Sequence, residues 1–89
     1  MYRGEQTYDV EIEFVKEVAD LVTETTWHRT QALKRHKDGR VTLTFRVDGL
    51  NEILRWVLGW AGRCRVIKPD ELRRLVVDQL RAAIEMNEP

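Results

Sequence analysis

Eighty-nine residues suffice for one domain with a core shared by every element, and a chain this short has little room for a deep internal cavity. At 43% hydrophobic and 34% charged, with five glycines and two prolines, the composition is that of a folded globular domain and excludes disordered and fibrous classes. Fifteen basic and fifteen acidic residues cancel, yet residues 31–68 carry +6 between flanks of −4 and −2. That asymmetry suits an anionic partner or intramolecular pairing better than general nucleic-acid affinity.

Residues 1–7 (MYRGEQT) have no period and are expected to be a linker or end segment, with one domain over 8–89. Tyr8 to Phe14 alternates strictly, Tyr8, Val10, Ile12 and Phe14 against Asp9, Glu11 and Glu13, which predicts a half-buried strand. Val18, Leu21 and Val22 then fall at helical spacing, predicting a short helix over 16–25 whose β-branched end is weak. Asp38-Gly39 between two alternating segments, 31–37 and 40–47, predicts a hairpin. A three-residue loop with a bulge at Gly39 pairs Leu33 with Leu43 and Gln31 with Phe45, and so keeps apolar side chains together.

Asp48 can cap the next helix, in which Leu50, Ile53, Leu54, Val57 and Leu58 form an apolar stripe, and Gly59 and Gly62 end it. Arg63 to Lys68 reads as a strand. Pro69 then suits a first helical turn, and Leu72, Leu75, Val76, Leu80, Ala83 and Ile84 mark a helix to about Met86. The order β-α-β-β-α-β-α predicts an α+β fold, the ferredoxin-like split β-α-β arrangement (βαββαβ) with a four-stranded antiparallel sheet and an added C-terminal helix. A strand order of 4-1-3-2 would set the acidic row of the first strand between Arg63 and Arg65 on one neighbour and Arg40 and Arg46 on the other.

The chain is expected not to be an enzyme and to need neither cofactor nor metal. His28 and His36 are its only histidines, and neither lies in a local nucleophile–base arrangement. Cys64 is the single cysteine, which excludes an internal disulfide, suits a reducing cytoplasm, and at an inward strand position reads as a small hydrophobe. No apolar run is long enough to span a bilayer, and a cytoplasmic location without membrane contact is the expectation. RNA recognition through the sheet is disfavoured, because Glu11, Glu13, Thr42 and Thr44 stand where base-stacking aromatics would be needed. Arg35, Lys37, Arg40, Arg63 and Arg65 remain as candidate contacts for a nucleic acid or other effector. Trp27, Trp56 and Trp60 are candidate interface residues; for Trp56 and Trp60, beside apolar helix positions, core or interface packing is a stronger reading than ligand stacking.

Residues 56–72, WVLGWAGRCRVIKPDEL, resemble a known pattern in which an apolar helix ends in Trp-x-Leu-Gly-aromatic, followed by a strand, Pro and a helix opening with Leu. With Val10, Ile12 and Phe14, Trp27-His28, Gln31, Asp38-Gly39, Leu43 and Phe45 in order upstream, residues 8–86 are similar to the WCX domain, the C-terminal module of WYL-type bacterial transcriptional regulators. Ala61 departs from the glycine expected after the aromatic, and Gly62 is expected to take over the turn. The resemblance implies a regulatory and dimerisation domain in a homodimeric regulator. In such a regulator a helix-turn-helix domain binds promoter DNA, a WYL domain senses an effector, with nucleic acid among the candidates, and WCX couples the two. The alternative is a module that itself contacts nucleic acid through the basic hairpin and strand. Since neither upstream domain is present, the chain reads as a piece of a longer regulator, with a shortened natural protein as the other reading.

Overall fold

The computed structural model describes residues 7–88, so the expected linker lies, but for Thr7, outside the described residues. The elements are β1 (Tyr8–Phe14), α1 (Lys16–Thr23), β2 (Ala32–Arg35), β3 (Val41–Val47), α2 (Asn51–Leu58), β4 (Cys64–Lys68) and α3 (Asp70–Asn87). The four strands form one antiparallel sheet in the order β2-β3-β1-β4, the ferredoxin-like arrangement with α3 added. Alternation along β1 and β3 sends Val10, Ile12, Phe14, Val41, Leu43 and Phe45 to one face, where they are buried with Val66 of β4. Val18, Ala19 and Val22 of α1, Ile53 and Val57 of α2, and Leu72 of α3 close over that face. The groups of α1 and α2 recur at helical spacing, one stripe per helix, while α3 adds only its first-turn Leu72. The other face of the sheet carries most of the charged strand residues and is open.

The hairpin register follows the sequence. Leu33 stands opposite Leu43, the His36 N–H donates to the Arg40 carbonyl at 2.9 Å, and Gly39 takes φ +97° in a three-residue loop. Only glycine adopts that angle freely, and a Cβ there would stand 3.0 Å from Cβ of Lys16. Asp38 tightens the loop: its carboxylate accepts the Arg40 backbone N–H at 3.1 Å and Nε at 2.7 Å. The backbone hydrogen bond first, and the guanidinium after it, hold the Asp38 carboxyl below the ordinary carboxylate range.

Several boundaries differ from expectation, each for a local reason. Gln31 is not in β2, so the expected pairing with Phe45 is absent from the ladder. Its N–H donates to the His28 carbonyl at 3.0 Å, and its side-chain Oε1 accepts from the backbone of Trp27. Helix α1 stops at Thr23, whose hydroxyl bonds the Asp20 carbonyl at 3.1 Å, two residues short of the predicted end. Asp48 does not cap α2: the Leu50 carbonyl accepts the first helical bond from Leu54 at 2.8 Å, and no side chain caps that end. Pro69 sits one residue before α3 rather than inside it, extended at ψ 166°, with its carbonyl accepting from Arg73. Gly59 stays in helical conformation at φ −66° and Gly62, at φ +86°, makes the reversal into β4, as expected from the Ala61 departure.

Candidate functional site

The open sheet face carries an acidic row flanked by arginines. Glu13 is opposite Thr42 on β3 and Arg65 on β4, and its carboxylate joins Arg40 Nη1 at 3.1 Å to Arg65 Nη2 at 3.0 Å. Asp9 meets Arg46 Nε at 3.0 Å. Glu11 stands between Thr44 and Lys68, because the pairing with β4 shifts register between Ile12 and Glu11, skipping Ile67 and bringing Lys68 to the same face as Arg65. The predicted ladder is therefore formed through Arg40, Arg46 and Arg65. Arg63 does not join it, because it lies in the turn before β4, with its N–H on the Trp60 carbonyl and its own carbonyl accepting from Val15.

Beneath these charges Thr42 is buried on the open face, its hydroxyl 2.7 Å from Nε2 of His36, a pairing no sequence signal indicated. Glu13 is the only member of the ion-pair network with a largely covered side chain, at 16% exposure against 43% and 68% for its arginines. Replacing Glu13 with Gln is expected to cost about 0.5–1 kcal/mol at low ionic strength and less in high salt. Urea unfolding at two salt concentrations checks this, and equal losses in both would show that the carboxylate acts by hydrogen bonding instead of charge.

The five candidate basic contacts do not converge. Arg40 and Arg65 are on the open face and are shared by Glu13. Arg35 is opposite the buried Val41, so it extends from the helix-covered side at the β2 edge. Lys37 is in the exposed hairpin turn, and Arg63 is at the opposite edge of the sheet.

The three tryptophans do converge. Trp27 and Trp56 have ring centroids 5.3 Å apart, and Trp60 is 6.2 Å from each. Phe14 meets Trp56 and Trp60 edge-on at 5.7 and 5.5 Å, and Phe45 meets Trp56 at 6.0 Å. Trp56 and Trp60, one helical turn apart on and just beyond α2, pack against the domain's own core. Among the described residues the buried Trp56 indole N–H has no acceptor, so ring packing holds it.

Trp27 is 39% exposed and is set by its loop. Gln31 Oε1 accepts from its backbone N–H at 2.7 Å and from that of His28 at 3.3 Å, while its indole N–H donates to the Val22 carbonyl at 3.1 Å. Thr30 anchors the loop to β3, its hydroxyl accepting from Arg46 N–H at 2.9 Å and donating to the Arg46 carbonyl at 3.3 Å. The His28 ring lies stacked on Phe45 with centroids 5.9 Å apart. Between this loop and the start of α2 is a cleft of about 480 Å³, walled by Trp27, His28, Phe45 and Trp56 and edged by Asp48 and Glu52. Of these residues the sequence singled out the tryptophans. Asp48 and Glu52 carried no ligand signal because only the fold brings the segment after β3 beside the loop after α1.

Cys64 is partly buried, its Sγ 3.9 Å from the Val57 carbonyl, and burial pushes its thiol up from the ordinary 9.0 to about 11. The neutral form is thus favoured in the folded chain. Stability from this group is complete below the ordinary thiol value and falls as pH rises from about 9 through 11, where the unfolded thiol ionises first. Iodoacetamide at mildly alkaline pH is expected to alkylate Cys64 far more slowly in the native chain than in urea. Equal rates would contradict the burial.

Among the described residues, no helix is long and apolar enough to cross a membrane, and no three His, Cys, Asp or Glu side chains are grouped to hold a metal ion. No curated protein matches the sequence. The fold, the aromatic run that ends α2 and the turn through Gly62 into β4 agree with a family match over nearly the whole chain: the WCX domain family model covers residues 6–84, and the chain belongs to that family.

Proposed function

We infer that the chain is the C-terminal regulatory and dimerisation domain of a WYL-type transcriptional regulator, acting without catalysis or cofactor in the cytoplasm. It would couple effector sensing to DNA binding by an N-terminal domain. Membership of the WCX family supports a regulatory domain, and the state of α3 supports association.

This helix has 18 residues, about 27 Å at the usual rise, and only Leu72 of it is buried. The stripe Leu72, Val76, Leu80, Ala83 and Ile84 begins on the core and then runs clear of it, leaving Leu80 36% and Ile84 54% exposed, with Leu75 and Val77 at 37% beside them. An isolated helix of this length is marginal in water, and a stripe of this kind gains most by facing another apolar surface. A second copy supplies the same stripe, giving an isologous contact.

The basic residues give no comparable support for nucleic-acid contact, since they are spread over both edges and both faces of the sheet and two share one carboxylate. Sedimentation over a range of concentrations tests the reading. A rise from monomer to dimer mass is expected, and monomer alone at tens of micromolar would overturn the dimerisation role.

A further inference from the structure

The cleft between the Trp27 loop and α2 is not part of the α3 surface, since no residue of α3 lines it. Its about 480 Å³ is within the usual range for a small-molecule site. Three features define what it would accept. Its walls are aromatic: Trp27 is 39% exposed, and His28 and Trp56 are half-buried beside it. Its rim carries two exposed carboxylates, Asp48 and Glu52, and neither is in any of the ion pairs found among the described residues. No lysine or arginine among the described residues lines it.

The geometry points to a binding site for a small organic cation carrying a guanidinium group. Aromatic faces attract cations through the ring quadrupole, tryptophan most strongly. Two carboxylates at one rim call for several N–H donors, which a guanidinium has and a quaternary ammonium lacks. Being planar, the guanidinium can also stack on an indole while its edge donates to carboxylate oxygens. The opposing term is the N-terminus of α2, which carries roughly half a positive charge. Two full negative charges, one within the first helical turn and one just before it, outweigh it. An anion would meet that half charge against both carboxylates, so the site discriminates by sign. The ring packing that holds Trp56 and the Gln31 bonds that hold Trp27 keep the walls in place without a ligand, which lowers the entropy cost of binding.

Tryptophan emission of the chain is the readout, titrated with n-butylguanidinium at constant ionic strength. The expected result is a saturable change that weakens roughly tenfold or more in the Asp48→Asn, Glu52→Gln double variant, as loss of charge-assisted contacts requires. n-Butyrate should give no saturable change, and tetramethylammonium only a weak one. Both substituted residues are exposed and keep their size, so the double variant should melt close to the parent. No saturation with butylguanidinium, equal affinity in the double variant, or equal binding of butyrate would each overturn the assignment. Saturation only with an arginine-containing peptide would overturn the small-molecule site in favour of a protein partner.

Discussion

A chain carrying Leu80→Glu and Ile84→Glu is expected to remain monomeric at concentrations where the parent dimerises, and to unfold at nearly the parental urea midpoint when both are diluted to the monomer, where dimerisation no longer stabilises the parent. Both residues lie on the part of α3 that runs past the core, and both are already substantially exposed, so neither contributes much to the fold of one copy. Glutamate is a good helix former, which keeps the helical preference of the segment. The dimer is another matter. Fully burying a leucine or isoleucine is worth at least about 1.5 kcal/mol, and a two-fold contact uses each position twice. Even half of that at four positions is about 3 kcal/mol, more than a hundredfold in dissociation constant. Desolvation of the introduced carboxylates adds to the loss. Sedimentation and urea titration of parent and variant together decide the point. A variant that dimerises as tightly as the parent would move the interface away from α3, and one that unfolds much earlier than the monomeric parent would mean that the stripe packs within its own copy.

The split between these two roles for one helix shows where the sequence is informative and where it is not. Periodicity placed all seven elements, since strict alternation over Tyr8 to Phe14 and Arg40 to Val47 has one solution once a face must be buried. It also set the hairpin register, because Asp38-Gly39 accommodates a positive φ and only one loop length then brings Leu33 to Leu43. Element ends were less legible, since they are decided by single hydrogen bonds. Gln31 left the strand to satisfy the Trp27 loop, and Leu50 replaced Asp48 at the start of α2. The same limit applies to sites. The pairing of Glu13 with Arg40 and Arg65 follows from strand order and alternation, and was readable. The approach of Trp27 and His28 to Asp48 and Glu52 depends on the path of two irregular segments, for which no period exists.

Phe14→Ala is expected to destabilise the chain by about 3–5 kcal/mol, the usual loss for deleting a fully buried phenylalanine. The position explains the size. Phe14 is fully buried at the end of β1, a central strand, between Val41 of β3 and Cys64 of β4. Its ring stands edge-on to both Trp56 and Trp60, and each such pair is worth about 0.5–1.5 kcal/mol beyond area burial. Neither tryptophan can move into the vacated space easily, because Trp56 is also held between Trp27 and Phe45, and Trp60 also packs edge-on to Trp27. A domain of this length has a total stability of only about 4–13 kcal/mol, so the loss removes a large part of it. The melting temperature should fall by roughly 15–30 °C at the usual sensitivity for small domains. Phe14→Leu, which keeps most of the volume and loses chiefly the two ring contacts, should cost about 1–3 kcal/mol, and the difference between the two variants reflects the cavity. Urea unfolding followed by far-ultraviolet circular dichroism measures both. A loss below about 1 kcal/mol for Phe14→Ala would mean that the aromatic cluster repacks freely, and the Trp27–Trp56 wall of the cleft would then lack the rigid support that its proposed ligand requires.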